Sequence, residues 1–434
     1  MNRFIISILL LITVVPCIFA DTEFEYNGFK YRGSYDDQEC ELIKAPKDIS
    51  GEITIPEYVH EGDWWTFRVV RIDDMAFSGC EQLRRIVLPN SISAIGSGAF
   101  EGCTNLVHVS LPNSCTHLGH SAFGGCKNLS VIEFLRNSPP SRLNASTLWF
   151  FNDYTLENAI AIIPDGSTNE YKKESSWCNF KTIYEQSSIK EVQGLKYVIK
   201  EDNTCEVAIN KDVEGKVIIP NEVIYDSVPH TVSGIWAAAF EGCNITTITI
   251  PQNVKHIGTA AFRECPISEL NFNAINCEIC GAEDSPVFEN SIKILNFGDD
   301  VTFIPPYMLS AGSKIQNLII PNKVTKIGHG AIPKVQNPLL KSITIGSAVS
   351  EIAKDAIPTY VPKVFWLGNT PPLNYQYHRG LINYTSNDKY DFKDGEFVIY
   401  PFLSSKFEVN GIIYVPVSPS ERDTVSLSVS ERGH

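Results

Sequence analysis

The chain has 434 residues, 43% of them hydrophobic and 20% charged, which is enough apolar material for a large core and argues against a disordered protein. Its 36 Lys and Arg against 50 Asp and Glu give a net charge of −14 with no local basic patch, so nucleic acid is excluded as a partner. Twelve cysteines would point to disulfides in an exported chain, but their spacing carries a different message.

Residues 1–20 place one cation, Arg3, before an apolar run from Phe4 to Val15, then Pro16 and a small residue at Ala20. This is the pattern of a secretory signal peptide cleaved after Ala20. The run is shorter than the roughly 20 residues of a membrane span, and no later segment is as apolar, so no transmembrane segment is expected in the mature chain. Cys17 offers a lipid anchor as the alternative, although Val14-Val15-Pro16 is a poor match to the small residues that precede a lipidated cysteine.

Phe24-Glu25-Tyr26-Asn27-Gly28-Phe29-Lys30-Tyr31 and Gly51-Glu52-Ile53-Thr54-Ile55-Pro56 open the mature chain as a predicted β-hairpin cap, and an insertion of about ten residues follows. A 23-residue period then begins. Phe77, Phe100 and Phe123 fall in step, as do Cys80, Cys103 and Cys126, and Leu83, Leu106 and Leu129. The unit reads I-G-x-x-A-F-x-x-C-x-x-L-x-x-I-x-L-P. Ile162-Ile163-Pro164 and the aromatics around Tyr171, Trp177 and Phe180 are expected to close this array. Lys190-Glu191-Val192-Gln193-Gly194-Leu195-Lys196-Tyr197 and Gly215-Lys216-Val217-Ile218-Ile219-Pro220 echo the first cap, and Cys205-Glu206 echoes Cys40-Glu41. The period resumes at 22 residues with Phe240, Cys243, Phe262 and Cys265, and continues more loosely through Ile304, Ile327 and Ile352, with Ile332 and Ile357 standing in for Phe. Phe407-Glu408-Val409-Asn410-Gly411-Ile412-Ile413-Tyr414 starts the cap pattern a third time. The expected division is therefore a signal peptide at 1–20, a first capped array at 21–185, a second at 186–406, and a truncated third cap or disordered tail at 407–434.

Each unit predicts one half-buried strand, because L-x-x-I-x-L alternates with period two and the following Pro, which cannot donate to a ladder, ends it. The A-F-x-x-C segment is too short for a full helix and predicts a single helical or 3₁₀ turn. One unit buries too few side chains to fold alone, so the units must stack as a solenoid.

The repeated unit resembles the BspA-type leucine-rich repeat of surface and secreted proteins of Bacteroidales and some mucosal protists. Asn369-Thr370-Pro371-Pro372 and Tyr414-Val415-Pro416-Val417-Ser418-Pro419 resemble further segments of the Bacteroidales members, and the likeness spans roughly residues 24–420. The resemblance implies a leucine-rich-repeat right-handed superhelix, an extracellular or surface location, and a binding or adhesion role towards host matrix proteins or other cells. Cys277 to Ser291 and the loose third stretch depart from the pattern and leave the repeat number open.

Among candidate sites, the repeat core comprises Phe77, Cys80, Leu83, Phe100, Cys103, Leu106, Phe123, Cys126, Leu129, Phe240, Cys243, Phe262 and Cys265. Its cysteines read as small core residues, since parallel inward side chains suit a disulfide torsion poorly. Cys277-x-x-Cys280 has metal or redox spacing but no second pair or nearby His to complete four ligands, and reads as structural or as a local disulfide. His117-x-x-His120 lacks the zincin spacing, and Gly119-His120-Ser121-Ala122-Phe123 lacks the last Gly of a nucleophile elbow, so no catalytic, metal or cofactor site is expected. The candidate concave face is built from the residues flanking each central strand Ile: Arg85, Val87, His108, Ser110, Val131, Glu133, Thr247, Thr249, Glu269, Asn271, Asn317 and Ile319. A candidate aromatic loop holds Trp64, Trp65 and Phe67, which serve a partner or pack on the cap; Trp149-Phe150-Phe151 invites the same two readings. N-x-S/T sequons stand at Asn128, Asn144, Asn244 and Asn383. The expected function is non-enzymatic binding of an extracellular protein, with a glycan-binding accessory protein or a purely structural surface component as alternatives.

Overall fold

The computed structural model describes residues 21–142, 150–151, 155, 159–173, 180–281, 286–288, 291–309, 313–332 and 339–357, together with the backbone of strands Lys363–Trp366, Ile382–Thr385, Phe407–Val409 and Ile412–Tyr414. The expected signal peptide, Cys17, Trp149, Trp177, and most of 407–434 lie outside the described residues. Tertiary contacts divide the chain into two compact units, 1–187 and 188–434.

The first unit opens on three antiparallel strands, Thr22–Tyr26, Phe29–Ser34 and Glu39–Lys44. Asn27 and Gly28 join the first two with φ of 51° and 81°, the two left-handed residues of a type I′ turn. The third strand then pairs in parallel with Trp65–Ile72, which also forms an antiparallel hairpin with Tyr58–Glu61. From here the chain winds as a solenoid with two parallel ladders. The long ladder runs Gly51–Thr54, Leu83–Val87, His108–Leu111, Val131–Phe134, Ile160–Ile163 and Thr182–Glu185. The short ladder continues Trp65–Ile72 through Ala94–Ile95, His117–Leu118 and Ser141–Arg142.

The second unit repeats this plan. Ile189–Val192, Leu195–Ile199 and Thr204–Val207 lead into Val228–Ile235 and its hairpin partner Glu222–Tyr225. Glu214–Ile218, Asn244–Ile250, Glu269–Phe272 and Ile294–Phe297 form one long ladder, and Asn317–Ile320, Ser342–Ile345, Lys363–Trp366 and Ile382–Thr385 form another. Phe407–Val409 and Ile412–Tyr414 pair as an antiparallel hairpin.

The I-G-x-x-A-F-x-x-C stretch folds as a ridge of turns. Ala76, Ser78 and Cys80 close local bonds to the carbonyls three residues back, while Met75, Phe77 and Gly79 donate to Ser97, Ala99 and Glu101 of the next coil at 2.7–2.9 Å. Gly98, Phe100 and Gly102 repeat the pattern onto His120, Ala122 and Gly124. The alternation needs a left-handed residue in each coil, and Met75, Ser121, Ala238 and Ala260 all hold φ between 51° and 58°. The helical elements with described bounds are short, Thr168–Lys173 and the 3₁₀ turn Gln186–Ser188.

Close coil packing explains the glycine of the I-G pair. A Cβ on Gly119 would lie 2.3 Å from the Ser97 backbone nitrogen, and one on Gly258 would lie 2.2 Å from that of Ala237. Behind this ridge runs a stack of phenylalanines. Phe77, Phe100 and Phe123 follow one another at ring distances of 5.0 and 5.2 Å, and Phe240 and Phe262 at 5.2 Å, with nearly parallel planes. Phe151 extends the first stack at 5.4 Å and Phe288 the second at 5.2 Å.

Candidate binding surfaces

The cysteine column is part of the core. Cys80, Cys103, Cys126, Cys243 and Cys265 are at most 3% exposed, as are Leu83, Leu106 and Leu129. Three thiols donate to the phenylalanine carbonyl of the preceding coil: Cys103 to Phe77 at 3.2 Å, Cys126 to Phe100 at 3.1 Å and Cys265 to Phe240 at 3.0 Å. A small polarizable donor thus satisfies a buried carbonyl where a larger side chain would not fit. Burial pushes the Cys103 thiol up to about 12 and Cys126 and Cys280 well above the ordinary thiol range. All ten described cysteines are free thiols, including Cys277 and Cys280. Among the described residues no three His, Cys, Asp or Glu side chains are grouped to hold a metal ion.

Strand register aligns the outward residues of the long ladders. In the first unit Arg85, His108, Val131 and Ile160 form one column, and Val87, Ser110, Glu133 and Ile162 the next. Arg85 is half-buried and reaches Glu52 of the preceding strand at 3.7 Å. Alternation sets direction but not depth: Val131, between His108 and Ile160, is fully buried, and His108 is only 6% exposed. This face therefore withdraws two of its predicted contacts from solvent.

The second unit offers a more open face. Lys216, Thr247, Glu269 and Ile294 form one column, and Ile218, Thr249, Asn271 and Asn296 the other. The Asn296 amide donates to Asn271 Oδ1 at 2.8 Å, and the Asn271 amide donates to Glu269 Oε1 at 3.3 Å and Thr249 Oγ1 at 3.5 Å. Ile218 and Ile294 stand 59% and 52% exposed beside this polar chain. Asn317 and Ile319 belong to the later ladder, aligned with Ser342 and Thr344, and Ser342 donates to Asn317 Oδ1 at 2.8 Å. Asn296, Ile218 and Ile294 were not in the sequence-derived set, because the departures after Cys277 and the register shift between Gly215 and Lys216 hide their alignment.

The aromatic loop divides. Phe67 is fully buried with its ring 5.1 Å from Phe24, so it is core. Trp65 is half-buried, edge-on to Tyr35 at 4.6 Å. Trp64, at the hairpin tip, is 89% exposed. Phe150 and Phe151 pack in the core of the first unit. Of the described sequons, the Asn128 amide is engaged with the Thr104 carbonyl at 2.9 Å, whereas Asn244 is exposed.

Two parallel ladders, one strand pair per coil and a stacked core of Phe and Cys columns within the regular coils define a leucine-rich-repeat solenoid. The model of the BspA type leucine rich repeat region matches six copies, over residues 65–175 and 233–358, more than half of the chain, and the chain belongs to that family. No curated protein matches the chain. Among solved structures it is similar to a leucine rich cell surface protein of Faecalibacterium prausnitzii, at 16% identity and TM-score 0.30, covering 80% of this chain and 96% of that one. It is also similar to the pneumococcal vaccine antigen PcpA, at 13% identity and TM-score 0.34, covering 85% and 94%. A leucine-rich repeat protein of Bacteroides ovatus matches at 18% identity and TM-score 0.28, covering 87% and 78%. No helix among the described residues is long and apolar enough to cross a membrane.

Proposed function

We propose that this chain is a secreted or surface-attached, non-enzymatic binding protein that holds an extracellular protein on its solenoid surface. The signal-peptide pattern of residues 1–20 supports export, and the family supports a recognition role. The observation that carries the reading is the open face of the second unit, where the Asn296–Asn271–Thr249 chain runs beside the exposed Ile218 and Ile294. Aligned amides and hydroxyls supply directional hydrogen bonds, and the exposed isoleucines supply apolar area, the two components of a protein interface. In the same reading, the three antiparallel strands that open each unit act as caps over the first coil.

The test is saturable binding of the purified chain to a panel of immobilised matrix proteins and polysaccharides. Binding to a protein is expected, weakened at least tenfold by Asn271→Lys with Asn296→Lys, which fill the face with charge. Binding to polysaccharides alone transfers the reading to a glycan-binding accessory protein. No binding to any member refutes it in favour of a structural surface component, and turnover of a substrate refutes the non-enzymatic role.

A further inference from the structure

A second surface, in the first unit, carries its own chemistry. Trp64 projects from the turn between Tyr58–Glu61 and Trp65–Ile72 with 89% of its surface exposed, and Tyr58 on the same hairpin is 52% exposed. Solvent is a costly place for so large an apolar ring. The base beneath it is fixed. Trp65 packs edge-on to Tyr35, the Tyr35 hydroxyl donates to Glu61 Oε2 at 2.7 Å, and the Thr22 hydroxyl donates to Glu61 Oε1 at 3.4 Å. An aromatic side chain on a rigid support loses little freedom when it binds, which is the character of an interface anchor.

The same contacts bring the turn that follows Tyr35, which carries Asp36 and Asp37, to the end of the unit where the hairpin tip carries Asp63. All three are exposed, and none enters an ion pair among the described residues. Nearby carboxylates are neutralised instead: Glu23 and Asp73 by Arg32, Glu57 by Arg68, and Glu41 by Arg32 and Arg71. Residues 21–64 hold twelve carboxylates against four Lys and Arg, a net −8 out of −14 for the whole chain. The exposed indole therefore stands at the end of a strongly acidic stretch of the chain.

We propose that this tip docks a cationic segment of a protein partner, a Lys- or Arg-bearing stretch that lays one cation on the Trp64 ring and presents others to Asp36, Asp37 and Asp63. Cations over indole faces gain about 0.5–2 kcal/mol, and the carboxylates add a long-range, salt-screened attraction. The inference rests on the reading of the chain as a binding protein but uses a surface separate from the second-unit face.

The test measures the full chain against a fluorescent dodecapeptide alternating Lys or Arg with Gly or Ser, with an uncharged peptide as control. Saturable binding is expected to the basic peptide alone, with a change in tryptophan emission that Trp64→Ala abolishes. Trp64→Ala keeps every carboxylate yet is expected to weaken binding roughly 2–30-fold, the cation–aromatic energy converted at 1.4 kcal/mol per tenfold. Asp36→Asn with Asp37→Asn and Asp63→Asn is expected to weaken it at least tenfold and flatten its salt dependence. Glu201→Gln with Glu214→Gln and Glu222→Gln, an exposed triple in the second unit, is expected to leave binding within twofold. Equal affinity in Trp64→Ala and the parent, or equal loss in the two triples, overturns the proposal. The Asn271→Lys, Asn296→Lys variant separates the two readings: it is expected to keep peptide binding, even where it loses a panel protein.

Discussion

Glu206→Gln should destabilise the strands that open the second unit by an amount that depends on pH. Glu206 is 8% exposed and sits where Thr204–Val207 meets Val228–Ile235. The Trp236 indole N–H donates to Oε2 at 2.8 Å, the Lys200 ammonium donates to Oε1, and His256 Nε2 lies 3.6 Å from Oε1. Gly234 makes room for that histidine, since a Cβ there would lie 2.2 Å from its ring. Burial alone would raise the carboxyl pKa, but the hydrogen bond and charge of His256, and then those of Lys200, outweigh it and hold Glu206 at about 2 against an ordinary 4.5. A folded pKa below the unfolded one stabilises the fold above the unfolded value, and that stability drains away as pH falls from about 4.5 towards 2. At 1.36 kcal/mol per unit the shift is worth about 3 kcal/mol, an upper figure. Urea unfolding between pH 7 and pH 2, with amide exchange of residues 204–207 and 228–235 as the local reporter, reads both effects. The variant should lose about 2–3 kcal/mol at pH 7 and converge with the parent near pH 2. An unchanged midpoint at pH 7, or an acid transition in these strands that persists unaltered in Glu206→Gln, refutes the reasoning.

Other outcomes follow from the core. Phe100→Ala opens the stack on both sides and should cost about 3–5 kcal/mol by chemical denaturation, because Phe77 and Phe123 each lose a ring at 5.0–5.2 Å. Gly119→Ala drives a methyl into the Ser97 backbone and should lower the melting temperature sharply, whereas Gly166→Ala meets nothing within 4 Å and should cost only the roughly 1–2 kcal/mol of a left-handed alanine. Ala260→Gly relieves the same left-handed strain at φ 55° and should be neutral or stabilising in a thermal melt. The ten described cysteines should resist a thiol reagent such as DTNB at pH 8 until denaturant is added, because all ten are buried away from the reagent; fast native labelling at any of them refutes that assignment.

The columns of the core were legible in the sequence because each coil repeats the same environment: a Phe on the ring stack, a Cys under the preceding Phe carbonyl, a Leu at the strand start. Phe151 and Phe288 fill the same column but fall 28 and 26 residues after Phe123 and Phe262, off the period, so only the fold reveals them. The glycine of the I-G pair was visible as a letter but not as a cause, since its reason is the backbone of the neighbouring coil. Strand alternation gave the direction of Val131 and not its depth, which Ile160 and His108 decide from either side. The Glu206–Trp236 contact joins residues 30 apart, and although Glu206 echoes Glu41, Asp73 stands where Trp236 would have its counterpart, so the repeat could not pair them.

In the proposed reading, stability and recognition are carried by different atoms in this chain, and that separation bears on how its surface would work. Inward positions are constrained from both neighbouring coils: Cys103 must be small enough to reach the Phe77 carbonyl, and Gly119 must admit the Ser97 backbone. Most outward positions of the long strands are less constrained, and they differ between units: Arg85 beside His108 in one, Thr247 beside Glu269 in the other. Surface changes away from such packed features usually alter stability by no more than about 0.5 kcal/mol. A substitution set that converts the Thr249, Asn271 and Asn296 column to the Val87, Ser110 and Glu133 chemistry should therefore leave the melting temperature nearly unchanged while abolishing partner binding. Loss of the fold instead would show that the asparagine chain is part of the scaffold and would move the recognition surface elsewhere on the solenoid.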